Sequence, residues 1–308
     1  HYHLYPIEAG SPPAFSMEQT KVSLHTVPMT KDLTSGPITN RLFLFALPMI
    51  IGNLLQQFYN IADTFIVGRF LGKNALAAVG SSFTLMTFLT SIILGLAMGS
   101  GVLLSMKFGE KDKDGLRKVS SSSFFLVFTI SIVLTLISYV LLDPLKLLLN
   151  IPDALWPIMR DYLKVIFSGI MGIFIYNWFS SFLRALGNST VPLAFLGVST
   201  IFTIALDLFF VLVLKRGVKG AAEATVISQY ISGFGVAIYT LLLSKESRFS
   251  PKHVDKKTIG EVTSFSFLTC LQQSVMNLGI LMVQTRVNTF SPVVMAAFST
   301  GVKIDAFA

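Results

Sequence analysis

Residues Leu47–Gly80 read LPMIIGNLLQQFYNIADTFIVGRFLGKNALAAVG. A predominantly apolar run extends to Val67, a short segment with Arg69 and Lys73 follows, and a second apolar run begins at Leu76. A transmembrane helix needs about 20 mostly apolar residues, and both runs reach that length when followed outward in the chain. The stretch therefore predicts two membrane-spanning helices joined by a short polar loop.

The whole chain has the composition of a membrane protein. Of its 308 residues, 53% are hydrophobic and 13% are charged, which is about half the charged share of an average soluble domain. Further apolar runs predict an all-α membrane protein with an eighth, incomplete span beginning near Pro292. The first seven spans are expected at Leu42–Val67, Leu76–Met106, Val119–Leu142, Ile158–Leu183, Val191–Leu214, Ala221–Leu243 and Ile259–Val283.

Polar segments divide these helices into groups. Residues 1–41 are predicted to be an N-terminal tail, of which 1–28 are set aside as candidate non-native sequence. We predict a first lobe of six helices at 42–243, a linker at 244–258, and the start of a second lobe at 259–308, with helices seven and eight. Because the eighth run ends before it could span, we expect the chain to be a fragment of a longer protein.

Lysine and arginine are distributed unevenly between the loops. They are concentrated in the N-terminal arm, in Lys107–Lys118 and in Ser244–Thr258, which lie on one side of the predicted bundle. Cytoplasmic loops of membrane proteins carry such an excess, so we expect the N-terminus and the linker in the cytoplasm. These loops account for the net charge of +8, and no basic stripe interleaved with aromatic residues indicates a nucleic-acid partner.

Motifs of other function classes do not occur in these 308 residues. The single cysteine, Cys270, permits no internal disulfide, and the four histidines fall in predicted tails or linkers. There is no P-loop, GxSxG or HExxH motif, so we expect neither an ATPase nor a hydrolase. The prediction is a non-enzymatic protein.

A weak internal repeat supports a plan of two lobes. Four residues of the first predicted helix recur in the seventh at one constant offset. Six spans separate the copies, so both run the same way through the membrane, as in transporters with a pseudo-twofold axis along the membrane normal. The repeated residues are Leu54, Gln56, Asn60 and Arg69, matched by Leu271, Gln273, Asn277 and Arg286.

Polar residues inside the apolar spans are the candidate functional residues. Gln56, Asn60 and Asp63 share one face of the first helix. The two amides suit hydrogen bonds between helices or the lining of a cavity. A carboxylate in hydrocarbon is expensive, so Asp63 is expected to face a cavity or a partner and to be functional.

Asp207 lies in the middle of the apolar stretch TIFTIALDLFFVLVL, with Thr203 one turn earlier on the same face. If Asp207 lies near Asp63, the two carboxylates would together hold one proton or one Na⁺, loaded from one side and emptied to the other. The alternative is an inert, protonated carboxyl bonded to a neighbouring carbonyl.

Other polar residues carry less information. Thr225 alone indicates little, because a threonine in a spanning helix usually bonds its own helix. Glu223 is on another face of that helix and is expected near the outer interface. Asn177, Gln273 and Asn277 complete the candidate cavity-lining set with Gln56 and Asn60.

Several segments resemble the MATE (multidrug and toxic compound extrusion) family of the common bacterial kind. They are Leu47–Gly80, Leu96–Asp112, Phe182–Pro192, Ile204–Val211 and Gly217–Gln229. The resemblance implies twelve helices in two six-helix bundles around a V-shaped cavity, in a monomer embedded in the lipid bilayer of the bacterial inner membrane. It implies export of amphipathic organic cations, driven by inward H⁺ or Na⁺ and without any other cofactor.

The resemblance also implies a cation site in the first lobe. Asp63, Asp207 and Thr225 match the family's site residues, and Asp63 and Asp207 would be the ligands of Na⁺. Thr203 stands where the family usually has Asn, which weakens Na⁺ ligation but leaves two carboxylates for proton coupling. Some relatives carry an acid on helix seven; beyond Glu261 this helix has none, so coupling is expected through the first lobe.

Two other functions remain open at this point. A lipid-linked saccharide or lipid flippase would share the bundle architecture but would need basic residues in its cavity, for which Lys164, Arg286 and Lys303 are the candidates. A membrane receptor or scaffold would need an extramembrane ligand domain or a signalling tail, and these residues contain neither.

Overall fold

The computed structural model describes residues 38–243 and 251–305. Within these ranges the chain forms ten α-helices and no strand, which confirms the all-α prediction. The helices are α1 (Ile38–Phe70), α2 (Lys73–Gly109), α3 (Lys113–Val140), α4 (Pro144–Leu148), α5 (Trp156–Ile166), α6 (Ile170–Ala185), α7 (Thr190–Leu208), α8 (Gly217–Leu243), α9 (Lys256–Val287) and α10 (Pro292–Asp305).

Seven segments of the described residues are long and apolar enough to cross a membrane, and they coincide with the seven predicted spans. Five consist of α1, α2, α3, α8 and α9. The fourth span joins α5 to α6 through a short 3₁₀ turn, and the fifth runs from α7 to Val213. The chain is therefore a multi-pass membrane protein.

The helices extend beyond the apolar runs that predicted them. The segment Lys107–Lys118, expected as a solvated loop, is helical except for three residues between α2 and α3. Asp112 caps α3 by accepting a hydrogen bond from the backbone nitrogen of Gly115 at 2.9 Å. α9 likewise begins at Lys256, inside the predicted linker, after the cap residue Asp255. Charged residues end an apolar pattern without ending a helix, because Lys and Glu are good helix formers.

The short helix α4 and a wide turn after α7 were not predicted. Over Phe209–Val213 the chain forms a π-helical turn, in which the backbone nitrogen of Leu214 donates to the carbonyl of Phe209 at 3.0 Å. Such single turns are rare and are found often at functional sites. This turn begins two residues after Asp207.

The most extensive contact between described helices joins α2 to α9. Glycines make it possible: a Cβ built at Gly95 would overlap the Cα of Cys270 and lie 2.7 Å from its backbone nitrogen. Thr269 uses the same close approach to donate a hydrogen bond to the carbonyl of Gly95 at 2.8 Å. Small residues allow membrane helices to approach in this way, and Gly99 makes a similar close contact with Ser266.

A buried polar network ties the other end of α2 to the end of α9. The Gln284 amide nitrogen donates to Ser81 Oγ at 3.1 Å and to Asn288 Oδ1 at 2.8 Å. Asn288 Nδ2 donates to the carbonyl of Leu149, just after α4, at 2.8 Å. In a membrane span these groups have little water to bond, so the network fixes the register of α2, α4 and α9.

Candidate functional site

Asp63 is buried in the last third of α1, with 6% of its surface exposed. Its Oδ2 accepts a hydrogen bond from Nζ of Lys303, on α10, at 3.3 Å. The Lys303 ammonium is also buried and lies 4.7 Å from the ring centroid of Phe83, on α2. Three helices therefore meet at one ion pair, and the negative face of the aromatic ring adds to the stabilisation of the ammonium.

Asp207 is fully buried near the end of α7. Neither of its carboxylate oxygens has a hydrogen-bond partner within the described part of the chain. It interacts electrostatically with both Asp63 and Lys303, so the two carboxylates expected to form one site are brought together. A buried carboxylate without a partner is costly when charged, and it favours the binding of a cation.

Thr225 lies beside this cluster on α8. Its Oγ1 is 3.3 Å from the hydroxyl of Tyr59, which is one helical turn before Asp63 on α1. Tyr59 and the buried Tyr162, on α5, both interact electrostatically with Asp63 and Asp207. The hydroxyl groups supply polarity next to the two carboxylates without adding charge.

Thr203 is buried one turn before Asp207, but its hydroxyl donates to the carbonyl of Ser199 at 2.9 Å. It therefore bonds its own helix, as threonines in spanning helices commonly do. No group of three or more His, Cys, Asp or Glu residues that could hold a metal ion occurs in residues 38–243 and 251–305. A Na⁺ ion at Asp63 and Asp207 would need further oxygen ligands from hydroxyls, carbonyls or water.

The candidate cavity-lining residues do not gather in this cluster. Gln56 is exposed on α1, and Asn60 donates to Oε1 of Gln57 at 3.1 Å. Asn177 and Asn277 each donate to the carbonyl four residues earlier in their own helices. Gln273 is half-buried, with its amide nitrogen 3.7 Å from the sulfur of Met98. Their role as cavity lining stays a prediction.

Sequence reasoning did not assign two residues of the cluster to it. Lys303 was named only as a candidate cavity cation, although a lone lysine in an apolar helix normally marks a buried partner. Tyr59 was not singled out, although its spacing of four residues from Asp63 puts both on one face of α1. Spacing could have found Tyr59, whereas the pairing of Lys303 with Asp63 depends on how α10 packs.

Glu223 lies outside the cluster, although it is only two residues from Thr225. Its carboxylate forms an ion pair with Arg216, with 2.8 Å between Nη1 and Oε2. Arg216 follows the wide turn at the end of the fifth span. This agrees with the expectation that Glu223 faces the end of its span and not the cation site.

The sequence of the chain matches a known family and several known proteins. The family model MatE matches residues 48–209, which is more than half of the chain. The chain is 30% identical over 276 residues to the probable multidrug resistance protein YpnP of Bacillus subtilis, covering 89% of this chain and 62% of that protein. It is 28% identical to the probable multidrug resistance protein NorM of Thermotoga maritima, covering 80% of this chain and 54% of that one.

A solved structure has the same fold. It is described as the inward-facing conformation of a multidrug resistance MATE family transporter, and it aligns with a TM-score of 0.73 at 24% identity. The alignment covers 86% of this chain and 61% of that one, so the chain spans about three fifths of the protein it resembles. The family match runs from within α1 to the end of α7 and includes both Asp63 and Asp207. The chain therefore belongs to the MatE family of membrane transporters.

Proposed function

We propose that the protein exports amphipathic organic cations in exchange for H⁺ or Na⁺, as a secondary active antiporter of the bacterial cytoplasmic membrane. Its N-terminus would lie in the cytoplasm, on the side of the basic loops. The multidrug-resistance names of its relatives support the export of drugs, and the cationic class comes from the family resemblance. The observation that carries the proposal is the buried cluster of Asp63 and Asp207.

The charge of the cluster explains why it suits ion coupling. Asp63 is paired with Lys303, whereas Asp207 has no partner, so the cluster lacks one positive charge when both acids are ionised. Ionisable residues inside spanning segments mark ion pathways, because an unpaired charge there is too expensive to retain for packing alone. A coupling cation supplies the missing positive charge when it binds, and it is released on the other side of the membrane, down its concentration gradient.

The carboxylate cluster lies among α1, α7 and α10, and α1 is also in contact with α7. Binding a cation there changes the electrostatic energy of the contacts between these helices. A transporter converts such a change into movement when its two conformations bind the ion with different affinity. Asp63 and Asp207 together form the coupling site in this proposal, and Thr225 and Tyr59 position it.

The test is ethidium efflux from preloaded, efflux-deficient bacteria that express the protein with its full reading frame. Wild type runs beside Asp63→Asn and Asp207→Asn, with the H⁺ and Na⁺ gradients collapsed separately. Asp161→Asn is the matched control, because Asp161 is exposed on α5 and outside the cluster. We expect efflux from wild type and the control, loss in both cluster variants at equal membrane abundance, and dependence on one gradient.

Normal efflux by both cluster variants would contradict the coupling site. No efflux from well-inserted wild type would contradict the antiporter itself. In that case a transport assay with a lipid-linked saccharide would test the flippase alternative, whose cavity needs basic groups. Of the candidate cations for that cavity, Lys303 is already bound by Asp63.

A further inference from the structure

Lys303 is the least expected member of the cluster. It lies in α10 within the apolar sequence PVVMAAFSTGVKID and is 3% exposed. Its ammonium is held by Asp63 Oδ2 at 3.3 Å and by the ring of Phe83 at 4.7 Å. The proposed antiport assigns it no task, yet a lysine is among the most expensive residues to bury in a membrane.

The packing of α10 holds the Lys303 side chain where it is. One turn before Lys303, Ser299 lies against Gly80 of α2, where a Cβ on the glycine would overlap the serine side chain. Met295 and Ala296 continue this buried face of α10. Residues four apart share a helix face, so the close contact at Ser299 directs Lys303 to the junction of α1 and α2.

The balance of charge in the cluster follows from these contacts. Asp63 and Lys303 form a neutral pair with side-chain exposures of 9% and 3%. Asp207 is fully buried and both of its oxygens lack a partner among the described residues. Two carboxylates and one ammonium leave a single net negative charge. One monovalent cation is enough to neutralise the cluster, whereas without Lys303 it would need two.

We propose that Lys303 is the resident counter-ion of Asp63, so that the site accepts one further monovalent cation, held at Asp207, in each transport cycle. This inference rests on the proposed antiport and gives its stoichiometry. Lys303 is a positioning residue in this scheme: it fixes how many coupling cations are taken up and at which carboxylate. Asp63 contributes a fixed neutral pair and Asp207 the exchangeable site.

The stoichiometry can be measured in the wild-type protein. Purified protein with its full reading frame is reconstituted in vesicles, and export of ethidium, a monovalent cation, is measured at fixed ion gradients while the membrane potential is varied. Exchange of one ethidium for one H⁺ or Na⁺ moves no net charge, so we expect a rate that does not depend on the potential. Exchange of one ethidium for two monovalent cations moves one net charge across the membrane. An export rate of the wild-type protein that depends on the membrane potential would therefore overturn the inference.

Paired variants test the role of Lys303 directly. Asp63→Asn and Lys303→Gln should each lower ethidium export at least tenfold, because each leaves its partner buried and unpaired. The double variant D63N/K303Q removes both charges and keeps the net charge of the cluster, so export should exceed that of either single variant by at least threefold. Asp207→Asn should abolish export both alone and together with D63N/K303Q.

Controls separate charge from folding. Lys303→Arg keeps the positive charge and should retain export, and Lys113→Gln, at an exposed lysine, should have no effect. Membrane abundance is measured for each variant. A double variant as inactive as D63N at equal abundance would show that Asp63 itself takes the coupling cation, and the inference would be wrong. If wild type exports no ethidium, it is the proposed antiport that fails.

Discussion

Replacing Gly95 by alanine should separate α2 from α9. The added Cβ would overlap the Cα of Cys270 and lie 2.7 Å from its backbone nitrogen, whereas ordinary contacts between such atoms are about 3.5 Å or longer. Both clashing atoms belong to the backbone, so no side-chain rotation relieves the overlap. The two helices must move apart locally by roughly 1 Å.

The cost of this separation can be estimated from the same contacts. Overpacking a close contact costs about 1–3 kcal/mol. The movement also lengthens the hydrogen bond from Thr269 to the carbonyl of Gly95, now 2.8 Å, and bonds between membrane helices average about 0.6 kcal/mol. At about 2.1 cal/mol/K of unfolding entropy per residue, a total of about 2 kcal/mol lowers the melting temperature of these 308 residues by roughly 3 °C.

The assay is thermal unfolding of the full-length protein in detergent, with Gly279→Ala as the matched control. Gly279 lies in α9, and a Cβ there would meet no atom within 4 Å. Alanine favours a helix over glycine by up to about 1 kcal/mol, so the control should melt at or above the wild-type temperature. If Gly95→Ala melts no lower than Gly279→Ala, the close packing of α2 on α9 is wrong.

Three further predictions concern other contacts. Asn288→Ala should lower the free energy of unfolding by about 1–3 kcal/mol, because it leaves the buried polar groups that bond Asn288, among them the amide of Gln284, without that partner. Asn277→Ala loses only a bond to its own helix and should cost less, and equal losses in chemical denaturation would contradict this. The hydrogen bonds that Asp255 accepts from the next turn hold its pKa below the usual value. The stabilisation of α9 by this cap is therefore present above the ordinary carboxyl pKa and lost as the pH falls through the lowered one. The protection of amides at the start of α9, measured as the exchange rate relative to the intrinsic rate at each pH, should therefore fall in acid for wild type and show no such pH step in Asp255→Asn. Glu223→Gln should remove a partly exposed ion pair worth at most about 1 kcal/mol and leave ethidium export unchanged, and loss of export at normal abundance would place Glu223 in the coupling site.

The spanning helices could be predicted because their cause is local. Each span must satisfy its own backbone hydrogen bonds and present apolar side chains to lipid, and both demands are visible in a run of about 20 residues. Helix ends were predicted less well, since Lys107 and Lys256 lie in helices although they end the apolar pattern. Two short features, α4 and the π-helical turn, depend on neighbouring helices and leave no clear pattern in the sequence.

The site was predictable only in part, because its residues come together through contacts between helices that are distant in the sequence. Asp63 and Asp207 were evident because a carboxylate in an apolar span has few structural explanations. The surroundings of the two carboxylates were not evident from the sequence. Asp63 has a lysine partner and Asp207 has none among the described residues, and this difference depends on how α10 packs against α1 and α2. For the amides of α1 the sequence pattern predicted too much. Gln56 shares a helix face with Asp63, but it is exposed and does not belong to the buried cluster.

The π-helical turn at Phe209–Val213 has a consequence for single-residue deletions in this part of the chain. A π-helical turn contains one residue more than an α-helical turn, so deleting one residue there converts it into ordinary helix and leaves Asp207 and everything before it in place. Because four residues of α-helix turn and rise about as much as five residues of the wider π-helix, the chain after the deletion keeps nearly its orientation around the helix axis. Arg216 would then still face Glu223. A single-codon deletion in this turn should therefore leave both the carboxylate pair and the Arg216–Glu223 ion pair in place, whereas a deletion within α7 would rotate Asp207 away from Asp63.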